Sequence, residues 1–137
     1  MYLNHLNLTV TNVNEAIYLF ETYFDFKCIA TKGENMVAVL KGIDDFELVL
    51  MNASMNQKGN TSYPDVFHIG FMLDDPEYVI KIHKKLKAGG IPLEREPKRI
   101  RDNFGFYFHF DTLMIEIGTP LKDQNDDLVL DSSLGSE

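Results

Sequence analysis

Residues 3–12, LNHLNLTVTN, decide the fold. Leu6, Leu8 and Val10 alternate with His5, Asn7 and Thr9, the two-residue period of a strand with one face on a core. The next residues change period. Asn12 can cap a helix and Glu15 suits the third position of a capping box, with Asn in place of the usual Ser or Thr. Val13, Ala16, Ile17, Phe20 and Phe24 then recur at helical spacing. Three strands are predicted after it, Phe26–Thr31, Met36–Leu40 and Phe46–Met51, with turns at Gly33-Glu34-Asn35 and Gly42-Ile43-Asp44-Asp45. The first half reads β-α-β-β-β.

Asn52–Pro64 is a polar connection, too poor in apolar residues for a core element. The pattern then restarts. Val66–Leu73 alternates again, with Phe67, Ile69, Phe71 and Leu73 on one face and His68, Gly70 and Met72 on the other. Pro76 suits a first helical turn, Val79, Ile82 and Leu86 form its apolar side, and Gly89-Gly90 supplies a C-cap. Strands are predicted at Pro92–Pro97, Phe104–Phe110 and Leu113–Ile117. Placing His5 on His68, an offset of 63, also places Leu6 on Ile69, Leu8 on Phe71, Val10 on Leu73 and Ile17 on Ile80. Glu47 falls on Glu116 at an offset of 69, six more, which a longer loop would absorb. This internal repeat predicts an α+β fold: two tandem βαβββ modules forming curved mixed sheets around a shared cleft. The expected domain spans residues 1–120, with modules at 1–52 and 65–119, and residues 121–137 form an acidic, Ser-rich extension.

Composition bounds the function. A chain of 137 residues, 45% hydrophobic and 25% charged, can bury one sizeable core. Its net charge of −8 argues against nucleic acid or an anionic membrane as the main partner. The single cysteine, Cys28, excludes an intrachain disulfide and reads as a small apolar strand residue. No run approaches the roughly 20 apolar residues of a membrane span. MYLNHLNLTV lacks a basic region followed by an apolar stretch, so the expected location is the cytoplasm.

Each half carries one histidine on its first strand and one glutamate on its last, on the face opposite the apolar run. If the halves pair about a pseudo-twofold axis, His5, Glu47, His68 and Glu116 converge in an apolar, Met-containing concavity. Two carboxylates buried together without a counter-charge are costly. A divalent cation offsets that cost, and two imidazoles with two carboxylates suit Zn, Ni, Fe, Mn or Co. A lone strand histidine is more often structural and a lone strand glutamate solvated; the repeated placement favours the metal. His83, Glu21, Glu77 and the Lys81-Lys84-Lys85-Lys87 run read as solvent-facing. In Phe104–Phe110, Tyr107 and His109 alternate with phenylalanines and would enter the concavity. His109 is then a candidate acid/base group or substrate contact. Arg95, Arg99 and Arg101 fall in a loop and could meet an anionic substrate.

Several stretches resemble the vicinal oxygen chelate superfamily, which groups glyoxalase I, fosfomycin- and bleomycin-resistance proteins and extradiol dioxygenases. They are HLNLTVTN from His5 into the helix, LFETYFDFK at 19–27, FHIGFML around His68, LKAGGIPL, and the closing YFHFDTLMIEI. The resemblance covers about residues 3 to 119 and rests on the order and spacing of these motifs. It implies that His5, His68 and Glu116 match the ligands common to metal-binding members, and that Glu47 stands where glyoxalase I has its fourth. It further implies carboxylate-mediated proton transfer by Glu47 and Glu116 beside the metal, a small-molecule substrate and a homodimer. One departure is the Asp-Pro-Asp-Gly turn before the last strand, replaced here by Asp111-Thr112-Leu113-Met114.

The activity expected first is therefore a glyoxalase I-like lyase or isomerase acting on a small oxygenated metabolite. An Fe(II)-dependent extradiol-type dioxygenase using His5, His68 and Glu116 comes second. A metal-free small-molecule-binding protein of the bleomycin-resistance type is the third reading.

Overall fold

A computed structural model describes residues 1–59 and 62–122. The strand His5–Val10 (β1) ends at Asn12, whose side chain accepts from the Glu15 N–H at 3.1 Å and starts the helix Val13–Tyr23 (α1). This satisfies one of the donors that a helix N-terminus leaves without an internal partner. Asn12→Ala is expected to lower stability by about 1 kcal/mol, read as a lower urea midpoint with an unchanged slope. Three strands follow, Lys27–Lys32 (β2), Val37–Lys41 (β3) and Glu47–Asn52 (β4), and the sheet order is β1-β4-β3-β2 with β1 parallel to β4.

The same sequence of elements recurs as His68–Met72 (β5), Pro76–Ala88 (α2), Lys98–Ile100 (β6), Asn103–Phe110 (β7) and Leu113–Pro120 (β8). The second sheet runs β5-β8-β7-β6, again with its outer pair parallel. The chain thus consists of two βαβββ units, Met1–Tyr63 and Pro64–Glu137, each a mixed four-stranded sheet carrying one helix.

In the first unit Val13, Ala16, Leu19 and Phe20 of α1 are buried with Leu8, Val10, Ala38, Leu40, Leu48 and Leu50 of the sheet. Phe20 is fully buried and meets Phe26 edge-on, with ring centres 5.8 Å apart. In the second unit Val79 and Leu86 lie over Phe104, Phe106, Phe108, Leu113, Ile115 and Ile117, all buried. Each sheet therefore has one covered face and one open face. The residues on the open faces are those that the alternation sets apart from the apolar run.

Several expectations are corrected. Pro92–Pro97 is a loop, and the strand starts only at Lys98; prolines lack the N–H that a ladder needs. Arg99 accordingly lies in β6 and Arg101 in the β6–β7 turn, with a positive φ of 56°. His83 does not face solvent: only 3% exposed, it fills the helix face between Val79 and Leu86. Cys28 lies in β2, as expected of a small strand residue, and is partly exposed there. The reading of the acidic extension falls, from Asp123 onward, outside the described residues. Among the described residues, no helix is long and apolar enough to cross a membrane.

Candidate metal-binding face

In the first unit β1 and β4 run side by side with His5 opposite Glu47 and Asn7 opposite Val49. Both His5 and Glu47 lie on the open face, because Leu6, Leu8, Leu48 and Leu50 occupy the covered one. The His5 Nδ1 is 3.1 Å from the Asn4 side-chain oxygen, so Nδ1 donates and Nε2 is left as the ligand-type nitrogen. The neighbouring Asn7 amide donates to the Met51 sulfur at 3.5 Å.

The second unit is more tightly assembled. His68 Nε2 lies 3.4 Å from Glu116 Oε1, with the glutamate side chain only 14% exposed. The other ring nitrogen, Nδ1, is 3.0 Å from the Val66 carbonyl. A carbonyl can only accept, so Nδ1 carries the proton and Nε2 turns toward the carboxylate. Two electron-rich atoms at this distance need a proton or a cation between them. Two ligands each about 2.1 Å from a tetrahedral ion stand roughly 3.4 Å apart. The pair therefore fits one divalent cation, and the Nδ1–carbonyl bond is the outer contact that orients a ligating imidazole.

Tyr107 completes this group. It stands opposite Glu116 across β7 and β8, and its ring meets His68 edge-on at 5.6 Å. Its hydroxyl pKa is pushed up, first by burial, then by the negative charge of Glu116 and by donating to that carboxylate, while Arg101 acts in the opposite direction. Gly70, the β5 neighbour of Glu116, leaves room on the other side: the carboxylate lies 3.5 Å from where a Cβ would stand. The link between Tyr107 and Glu116 was readable. A two-residue turn at Asp111-Thr112 puts Phe110 opposite Leu113, and counting outward puts Tyr107 opposite Glu116.

The two units differ in register. His5 is directly opposite Glu47, whereas His68 is opposite Met114 and Glu116 is opposite Gly70. With the histidines superposed, Glu47 falls on Met114 and Glu116 on Val49, so the expected match of the two glutamates is displaced by two residues. An even displacement keeps both on the open face. Among the described residues no three His, Cys, Asp or Glu side chains stand together as a metal-holding group. The units present a His–Glu neighbour pair and a His–Glu contact pair. His109 lies on the open face beyond Met114 in the row that starts at His68, about two strand spacings (~10 Å) from it. It is exposed and borders a cavity of about 540 Å³ beside β7.

Two βαβββ units, each with a histidine and a glutamate on an open sheet face, define a class of tandem-module α+β proteins. The match to known families is of the same kind. Residues 2–123 match the Glyoxalase/Bleomycin resistance protein/Dioxygenase superfamily, and the chain belongs to it. Members of this superfamily bind small molecules, commonly hold divalent metals and often form dimers.

A possible glyoxalase from Bacillus cereus is 36% identical, covering 86% of this chain and 98% of that one, with a TM-score of 0.73. Two more distant structures share the fold. A lactoylglutathione lyase from Agrobacterium tumefaciens is 16% identical over 86% of this chain and 92% of its own, with a TM-score of 0.66. The genomically encoded fosfomycin resistance protein FosX from Listeria monocytogenes is 20% identical over 90% and 94%, with a TM-score of 0.69. No curated protein matches the chain.

Proposed function

We propose that the chain is a metal-dependent enzyme acting on a small oxygenated molecule, a lyase or isomerase of the glyoxalase I kind. In this reading His5, Glu47, His68 and Glu116 hold one divalent cation (Zn, Ni, Fe, Mn or Co). The observation that carries it is the 3.4 Å approach of His68 Nε2 to Glu116 Oε1, with Nδ1 committed to the Val66 carbonyl. When bound, the cation would polarise a substrate oxygen as a Lewis acid.

The chain's own residues do the rest. Glu116, held by Tyr107, and Glu47, beside His5, are the carboxylates able to accept a proton from one substrate carbon and return it to the next. His109 stands on the same open sheet face as Glu116 and acts as a further acid/base group or substrate contact. Met72 and Met114 give that face an adaptable apolar lining. A homodimer and a cytoplasmic location belong to the same proposal, by analogy with the superfamily.

The test is elemental analysis of protein purified without chelators, followed by calorimetric titration of the stripped protein with each metal. One high-affinity ion per chain is expected. Failure to bind any of the five metals would replace the enzyme by the small-molecule-binding reading.

A second reading is favoured by the register difference. Glu47 stands against His5 without an ion-pair contact among the described residues, so His5, His68 and Glu116 alone could be the ligand set of an Fe(II) dioxygenase. Anaerobic iron loading followed by oxygen uptake with a catechol separates the two. Uptake that persists in Glu47→Gln selects the dioxygenase.

A further inference from the structure

The cavity beside β7 is lined by five consecutive residues, Gly105 to His109. Consecutive strand residues point to opposite faces, and the side chains of Phe106 and Phe108 are buried. A cavity that touches all five must run along the edge of the strand and meet its main chain. β6 covers that edge only as far as Gly105, which it meets through Lys98. Beyond it the chain stands off as the loop 92–96, the opposite wall of the cavity.

The direction of the free main-chain groups follows from the ladder. Phe110 and Leu113 close a two-residue turn as a hydrogen-bonded pair, so Phe108 and Phe106 also face β8. Tyr107 and His109 therefore turn their N–H and C=O away from β8, toward the cavity. Among the described residues, no main-chain hydrogen bond outside the ladders satisfies them.

His83 holds the wall in place. Its Nε2 donates to the Arg95 carbonyl at 2.8 Å, and its ring stands edge-on to Phe106 at 4.8 Å. One buried imidazole thus spans from the loop to β7 where β6 has ended.

We infer that this cavity binds an uncharged, extended small molecule that presents an N–H and a C=O from one side, as a blocked amino-acid residue does, and pairs them with the main chain of Tyr107 or His109. The volume of about 540 Å³ is that of a small-molecule site. Apolar surface from Pro92, Ile100 and Met114 suits a compact hydrophobic side group. Glu94 and Glu96 balance Arg95 and Lys98 around it, so no net charge selects an ion. The loop wall, across from the edge, favours a small molecule over an added strand from another chain. The site does not depend on a metal at His68 and Glu116, although Tyr107 belongs to both.

The test is an ¹⁵N NMR titration of the full, chelator-treated chain with N-acetylphenylalanine N-methylamide. The expected result is saturable shifts centred on the Tyr107 and His109 amides. The same probe methylated on the phenylalanine nitrogen should bind about fivefold to tenfold more weakly, the loss of one hydrogen bond. His83→Gln, which can still donate to Arg95, should bind as the native chain does, and His83→Leu at least about fivefold more weakly. Equal binding of the two probes overturns the inference, as do shifts that map elsewhere or no saturation. Shifts of the Tyr107 and His109 amides that follow protein concentration instead would make the edge an interface between copies and overturn it equally. Because no metal is present, the outcome is separate from that of the enzyme reading.

Discussion

Glu116→Gln is expected to weaken divalent-metal binding by at least about 100-fold and to remove turnover, while the metal-free protein keeps its fold. The substitution is nearly isosteric, so the half-buried space beside Gly70 remains filled and Tyr107 can still donate to the amide oxygen. What disappears is the negative charge 3.4 Å from His68 Nε2. A neutral amide is a poor ligand for Zn, Ni, Fe, Mn or Co and cannot take a proton from carbon. Calorimetric metal titration checks the first effect, and circular dichroism with a urea melt of the stripped protein checks the second. Native metal affinity in this variant would remove Glu116 from the site. Glu47→Gln provides the comparison: a loss of similar size supports four ligands, and a small one supports three.

Gly105→Ala is expected to be the most disruptive single methyl addition in the second unit, costing about 3 kcal/mol or more. A Cβ at this position would overlap the carbonyl oxygen of Ile117 and stand 2.7 Å from the Gly118 Cα. Both are main-chain atoms of β8, so no side chain can rotate away. The two strands must separate where Gly105 faces Gly118, two residues from the Tyr107–Glu116 pair. A fall in melting temperature of about 10 °C or more is expected. Glu116 lies on β8, and β5, which carries His68, pairs with that strand, so metal affinity should fall with stability. A variant as stable as the native chain would show that β7 and β8 are farther apart than described.

Much of this was legible in advance where the cause is local. The alternation in His5–Val10 and around His68, the Asn12 cap and the Pro76 start each depend on residues within a few positions of one another. The correct faces of Phe106, Tyr107, Phe108 and His109 came from the same period. His83 was misread because it sits among lysines; its spacing from Val79 and Leu86, four and three residues, was the signal that it belongs to the buried face. The β6 segment was misplaced because an extended, apolar-looking run with prolines at both ends mimics a strand without being able to pair as one.

What the sequence by itself determined is the two-unit order of elements, the face on which His5, Glu47, His68 and Glu116 stand, and the β7–β8 register, since a two-residue turn sets it. The pairing of β5 with β8, and of β1 with β4, was decided only in the tertiary structure. These strands are parallel, and the segments joining them are too long for any turn to dictate register; side-chain packing under the helix selects it. For that reason His5 stands opposite Glu47, while His68 reaches Glu116 on the diagonal past Gly70.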